Sequence, residues 1–139
     1  MSLPLEKLLV DFSANPAAGE QAIQGAEREC GVQFPDDYRA FLAQFNGGEG
    51  FIGKHYLVLE KAEELMKFNR DLEVNEYAPG FFMFGSDGGG DGFAFDTRSS
   101  PYRVVIVPFI GMSIEDGIVV AESFLGLLEK MKQTDGPIF

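Results

Sequence analysis

Cys30-Gly31-Val32-Gln33-Phe34-Pro35-Asp36-Asp37-Tyr38-Arg39-Ala40-Phe41-Leu42, continued by Phe45-Asn46-Gly47-Gly48, is the stretch whose reading decides the fold. Pro35 pre-sets a helical φ and lacks an amide that would need a partner, so it opens a helix. Asp36 and Asp37 then fall at the positive end of that helix's dipole. Tyr38, Phe41, Leu42 and Phe45 recur at i, i+3, i+4 and i+7, which is one apolar helical face. Asn46-Gly47-Gly48 stops the helix, because both residue types accept positive φ.

Working outward, the spacing predicts a helix from about Glu20 to Cys30, with Ala22, Ile23, Ala26 and Cys30 on one face and Gly31 as a left-handed C-cap. An earlier helix is expected from Leu5 to about Phe12, on the period of Leu5, Leu8, Leu9 and Phe12, ended by Asn15-Pro16. Downstream, Glu49–Leu59 reads as strand, with a hairpin through Gly53-Lys54. A helix over about 62–72 buries Ala62, Leu65, Met66 and Leu72, and Pro79-Gly80 marks a turn. Strands are predicted over 81–84, 92–95 and 103–107; the first two flank Gly85-Ser86-Asp87-Gly88-Gly89-Gly90-Asp91, a link short enough to make them antiparallel neighbours. A last helix over about 119–131 buries Ala121, Phe124, Leu125, Leu128 and Met131, although Gly117 interrupts the pattern where Ser113-Ile114-Glu115-Asp116 resembles a capping box. Short strand links exclude parallel crossovers. The expected architecture is therefore α+β: one domain over 1–139, a largely antiparallel sheet packed against several helices and covered mainly on one face. Tyr38, Phe41, Leu42, Phe45, Phe124 and Leu128 are the expected helix-to-sheet core.

The chain has 139 residues, 45% hydrophobic, with fourteen Phe, four Tyr and no Trp, and a formal net charge of −11. The charge is unevenly spread. Between Arg70 and Arg98 lie Asp71, Glu73, Glu76, Asp87, Asp91 and Asp96 with no Lys or Arg, and between Arg103 and Lys130 lie Glu115, Asp116, Glu122 and Glu129, again with no base. Such segments repel nucleic acid and anionic membrane and favour a basic protein partner; the competing reading is ordinary solubilising surface. Asp71, Glu73, Glu76, Asp87, Asp91 and Asp96 are the candidate partner-binding residues. The opening Met1–Lys7 has neither the basic start nor the apolar run of a secretory signal, and one cysteine forms no internal disulfide, so a cytoplasmic protein is expected. Cys30 is expected as a small buried hydrophobe.

No catalytic set emerges from the residues, and no enzyme, cofactor or metal is expected. The glycine-rich loop lacks the following helix and the Lys of a phosphate cradle. Asp87, Asp91 and Asp96 lack EF-hand spacing and suit tight turns instead. His55 is alone, without a Cys/His cluster, and is expected on a strand surface. Ser86, Ser99, Ser100, Ser113 and Ser123 have no nucleophile-elbow setting. The pairs Asp36-Asp37 and Glu63-Glu64 read as solvated helix faces.

Three stretches together resemble the SUKH superfamily, whose members carry the Smi/Knr-like domain. They are Glu27–Gly48, with its helix, Gly, Phe-Pro-x-x-Tyr, second helix and Asn-Gly-Gly; the glycine-rich hairpin Phe84–Asp96; and the closing helix Val120–Leu128 with Ala-x-Ser-Phe. Phe34 stands where Leu is common, and Gly126 interrupts the last helix. The resemblance implies a protein-binding function without catalytic residues. Its bacterial members are mostly immunity proteins that neutralise a cognate toxin, often a nuclease, and its eukaryotic members are regulatory interaction domains. A regulatory or housekeeping interaction domain is thus the alternative expectation, and the oligomeric state stays open.

Overall fold

Every ladder of the sheet joins strands consecutive in the chain. The computed structural model describes residues 4–139; Met1–Leu3, part of the segment read above for a secretory signal, lie outside the described residues. In chain order the elements are α1 (Leu5–Leu8), β1 (Asp11–Ala14), α2 (Glu20–Cys30), α3 (Asp36–Gln44), β2 (Gly48–Ile52), β3 (His55–Leu59), a 3₁₀ turn (Ala62–Glu64), α4 (Leu65–Asp71), α5 (Val74–Tyr77), β4 (Phe81–Ser86), β5 (Asp91–Asp96), β6 (Arg103–Pro108), β7 (Ile118–Ala121) and α6 (Phe124–Gln133). The seven strands form an antiparallel meander in the order β1 to β7, so the α+β class and antiparallel sheet expected from the sequence are what the chain adopts.

The strand period of two divides the core in two. Phe82, Phe84, Phe93, Phe95, Val104 and Ile106 point to an inner face, where α2, α3 and α6 bring Ile23, Tyr38, Phe41, Leu42, Phe124 and Leu128 against them. Phe81, Met83, Ala94, Val105 and Val107 point the other way, into a smaller cluster with Val74, Ala78 and Met112. Coverage is therefore heavier on one face, as expected, with a second apolar layer over β4–β6. Phe84 and Phe95 stack at 4.4 Å between ring centroids, and Phe41 meets Phe124 at 5.1 Å. Of the six expected core residues, Tyr38, Phe41, Leu42, Phe124 and Leu128 are fully buried; Phe45 ends α3 and is only partly buried.

The α2–α3 corner follows its sequence. Gly31 adopts φ +68° as the left-handed cap of α2, a conformation that costs a residue with Cβ roughly 1 kcal/mol or more. Glu27 accepts the Phe34 amide at 2.7 Å and pairs with Arg39, which also reaches Glu20 at 3.2 Å. Asn46, the one buried polar residue of the described chain, ties the end of α3 to the 3₁₀ turn: its Oδ1 accepts the Ala62 amide and its Nδ2 donates to Glu63, both at 2.8 Å.

Four expectations are corrected. The first helix stops at Leu8, and Asp11–Ala14 pairs with β2 as an edge strand, with Phe12 turned into the core. The helix expected over 62–72 is a 3₁₀ turn followed by α4, with α5 beyond it, because Glu73 takes φ +55° and breaks the helical path. Ile118–Ala121 is strand, and the last helix begins only at Phe124, where Ser123 Oγ accepts the Gly126 amide at 3.0 Å. Cys30 is half-buried; burial, with Glu29 nearby, pushes its thiol up to about 11, so it stays protonated.

Candidate partner-binding surface

The structure separates the six candidate acids into four places. Asp71 ends α4 and pairs with Lys67 one turn back. Glu73 precedes α5 and Glu76 lies within it; the side-chain hydrogen bond with Glu76, and then its like charge, raise the Glu73 carboxyl above its ordinary value. Asp87 and Asp91 meet at the tip of the β4–β5 hairpin, where Asp87 Oδ1 accepts the amides of Gly89 (2.8 Å) and Asp91 (3.2 Å). This is the tight-turn role expected of them. Asp96 stands five residues along β5 from Asp91, about 17 Å away at the rise of a strand and on the opposite face. There it forms a two-pronged pair with Arg98 (2.9 and 3.0 Å), which holds its carboxyl below the usual range. Asp87, Asp91 and Asp96 thus do not converge.

Sequence order hid part of the acidic surface. Glu60, Glu64 and Asp71 line one shallow cleft with Lys67 and Phe68, and Glu60 and Glu64 line a second with Glu49, Lys61 and Ser13. Burial, and then Glu64 beside it, raises the Glu60 carboxyl. Helical spacing could not have found this group, because Glu60 lies just past the end of β3 and Glu64 in the 3₁₀ turn, and both precede Arg70, where the base-free segment begins.

The remaining polar residues have structural duties. Asp37 is not merely solvated: its Oδ2 accepts the Leu125 amide at 3.0 Å. His55 Nε2 lies 2.7 Å from the Thr134 carbonyl oxygen. Ser113 Oγ accepts the Asp116 amide within a turn rather than at a helix start. Among the described residues no group of three His, Cys, Asp or Glu could hold a metal ion, and no helix is long and apolar enough to cross a membrane.

An antiparallel meander with helices packed on its inner face and acids gathered on the flank of α4 defines an α+β domain with a charged outer surface. The chain belongs to the SMI1/KNR4 family (SUKH-1), whose sequence model matches residues 17–130. It is also similar to an uncharacterized protein, YnaB, of Bacillus subtilis (strain 168), with 31% identity over 115 residues that cover 81% of this chain and 75% of that protein. Membership in this family implies a domain that binds other proteins.

Proposed function

We propose that this domain is a cytoplasmic immunity protein that binds a cognate toxin domain, such as a cationic nuclease, and neutralises it by covering its active site or the adjacent surface, without catalysis. The observation that carries this reading is the concentration of carboxylates on the outer flank, from Glu60 and Glu64 through Asp71 to Glu73 and Glu76, on a domain whose family binds proteins. A field of that sign accelerates encounter with a basic protein and disfavours nucleic acid. Within this reading Asp71, Glu73 and Glu76, together with Asp87 and Asp91 at the hairpin tip, face the partner. Asp96 contributes less, because Arg98 neutralises it.

The test is to identify a toxic domain encoded beside this gene and to co-express it with this protein. The protein is expected to rescue growth while leaving the toxin chemically unmodified. Rescue that persists when binding is abolished overturns the mechanism, and a partner with no toxicity points to a regulatory interaction domain.

A further inference from the structure

The outer face of the sheet is covered over only part of its width. Above β4–β6 lies the smaller apolar cluster carried by α4, α5 and the 109–114 loop. The side chains of β1–β3 that point the same way belong to neither cluster: Asp11, Ser13, Glu49 and Phe51 are exposed, and Tyr56 and Val58 are half-buried. Register sets them in two rows, Asp11 across from Phe51 across from Tyr56, and Ser13 across from Glu49 across from Val58. Phe51, 50% exposed, meets Tyr56 edge to face at 5.1 Å, and the Tyr56 hydroxyl donates to Glu49 at 2.6 Å. The glycine-rich hairpin closes one border: a Cβ on Gly88 would sit 2.8 Å from the Tyr56 ring.

We propose that this uncovered β1–β3 face is the docking surface for the partner, and that it takes an arginine side chain from a basic protein, the guanidinium stacked on Phe51 and paired with Asp11 and Glu49. This rests on the reading above that the domain binds a basic protein. An exposed aromatic ring with carboxylates on the neighbouring positions fits a planar, weakly hydrated cation, which stacks and forms directed hydrogen bonds together; a lysine ammonium would gain mainly the charge. The surroundings agree in sign. Glu60 and Glu64 share the cleft at one end with Glu49, and Asp87 lies in the cleft beside Tyr56 at the other. Of the neighbouring bases, Lys54 faces Asp135 at 3.7 Å, and Lys61 borders the Glu60 cleft. A second copy of the chain fits poorly, because a two-fold interface would set this acidic patch against itself.

The probes are octa-arginine and octa-lysine peptides, titrated into the full chain at about 0.15 M salt and followed by amide chemical shifts. Octa-arginine is expected to shift the amides of β1–β3 and to bind at least tenfold more tightly than octa-lysine. Phe51→Ser, a change at an exposed ring, should erase that difference, as should Glu49→Gln, whereas Asp71→Lys should preserve it. Equal binding of both peptides with shifts scattered over all acidic surfaces, or no binding of either, overturns the proposal. Shifts confined to α4–α5 overturn this surface and leave the protein-binding reading standing. A free chain that sediments as a dimer and is dissociated by Phe51→Ser assigns the face to self-association instead. With a cognate toxin in hand, full rescue by Phe51→Ser rejects this surface alone, while no rescue by the natural sequence rejects the toxin reading alone.

Discussion

Asp37, in the first turn of α3, caps a helix that begins 87 residues later: its carboxylate accepts the Leu125 amide at 3.0 Å, next to Ser123, which caps the same helix from within by accepting the Gly126 amide. The first amides of α6 have no partner inside the helix, so this long-range bond satisfies a donor that sequence-local capping leaves open. Asp37→Ala is expected to cost about 1 kcal/mol, as lost N-caps do. Asp36→Ala, beside it and exposed, should cost only a few tenths through the α3 dipole. Urea unfolding of the two variants measures the difference.

Phe41 is fully buried against Phe124. Phe41→Ala is expected to destabilise the domain by about 3 to 5 kcal/mol, the usual cost of emptying a large aromatic site. Tyr38 should behave in the opposite sense. Its hydroxyl is buried with no hydrogen-bond partner among the described residues, and burial pushes the phenol far above its ordinary range. Tyr38→Phe removes that unpaired hydroxyl while keeping the ring contacts with Phe34, Phe84, Phe95 and Phe124. It is expected to raise stability by about 1 kcal/mol, and a lower unfolding midpoint for this variant would refute the assignment.

Asn46→Ala leaves the Ala62 amide without its acceptor and frees Glu63, at an expected cost of about 1 to 3 kcal/mol. The cost should depend on pH. The Asn46 hydrogen bond, first among several causes, lowers the Glu63 carboxyl below its usual 4.5. A depressed carboxyl contributes stability above its unfolded value and loses that contribution as pH falls through the folded one. The gap between natural and variant chains is therefore expected to be widest above about pH 5 and to narrow on acidification; a gap that widens in acid would contradict the linkage.

Replacing Asp71, Glu73 and Glu76 together with Lys inverts the field beside α4 and α5 and leaves the core intact. Association with the cognate partner is expected to slow by about tenfold or more at low salt, within the range of electrostatic steering. The defect should shrink near physiological ionic strength, where screening acts within about 8 Å. Asp36→Lys serves as the control; Asp37 cannot, since it caps α6. Stopped-flow association across a salt series measures both, and equal slowing by control and test would reduce the effect to net charge.

Local signals were legible wherever the chain's neighbours decided the outcome. Gly31 as cap, Pro35 as helix start and the Gly53-Lys54 turn all hold, because each acts within a few residues. The two edge strands were not legible. Phe12 satisfies a helical i+7 spacing from Leu5 as well as it fills the single buried position of β1. At β7, the β-branched run Ile118-Val119-Val120 was the overlooked strand signal, and Ser123 was the overlooked stop. The acids could be counted along the sequence, and the strand predicted over 92–95 already set Asp91 and Asp96 at its two ends, but only strand register shows that Asp11, Phe51 and Tyr56 stand in one row.

The meander has a consequence for how the domain is made. Each strand can pair with its predecessor as it leaves the ribosome, so the sheet is able to grow in the order of synthesis. The inner layer cannot be finished on that schedule: Phe124, Leu127, Leu128 and Met131 all come from α6, which packs against α1, α3 and β2 from the first half of the chain. A chain grown only as far as β7 therefore holds the rings of Phe41 and Phe84 without their last cover, and at about 5 to 20 residues per second the stretch that completes α6 follows in roughly 0.6 to 2.4 seconds.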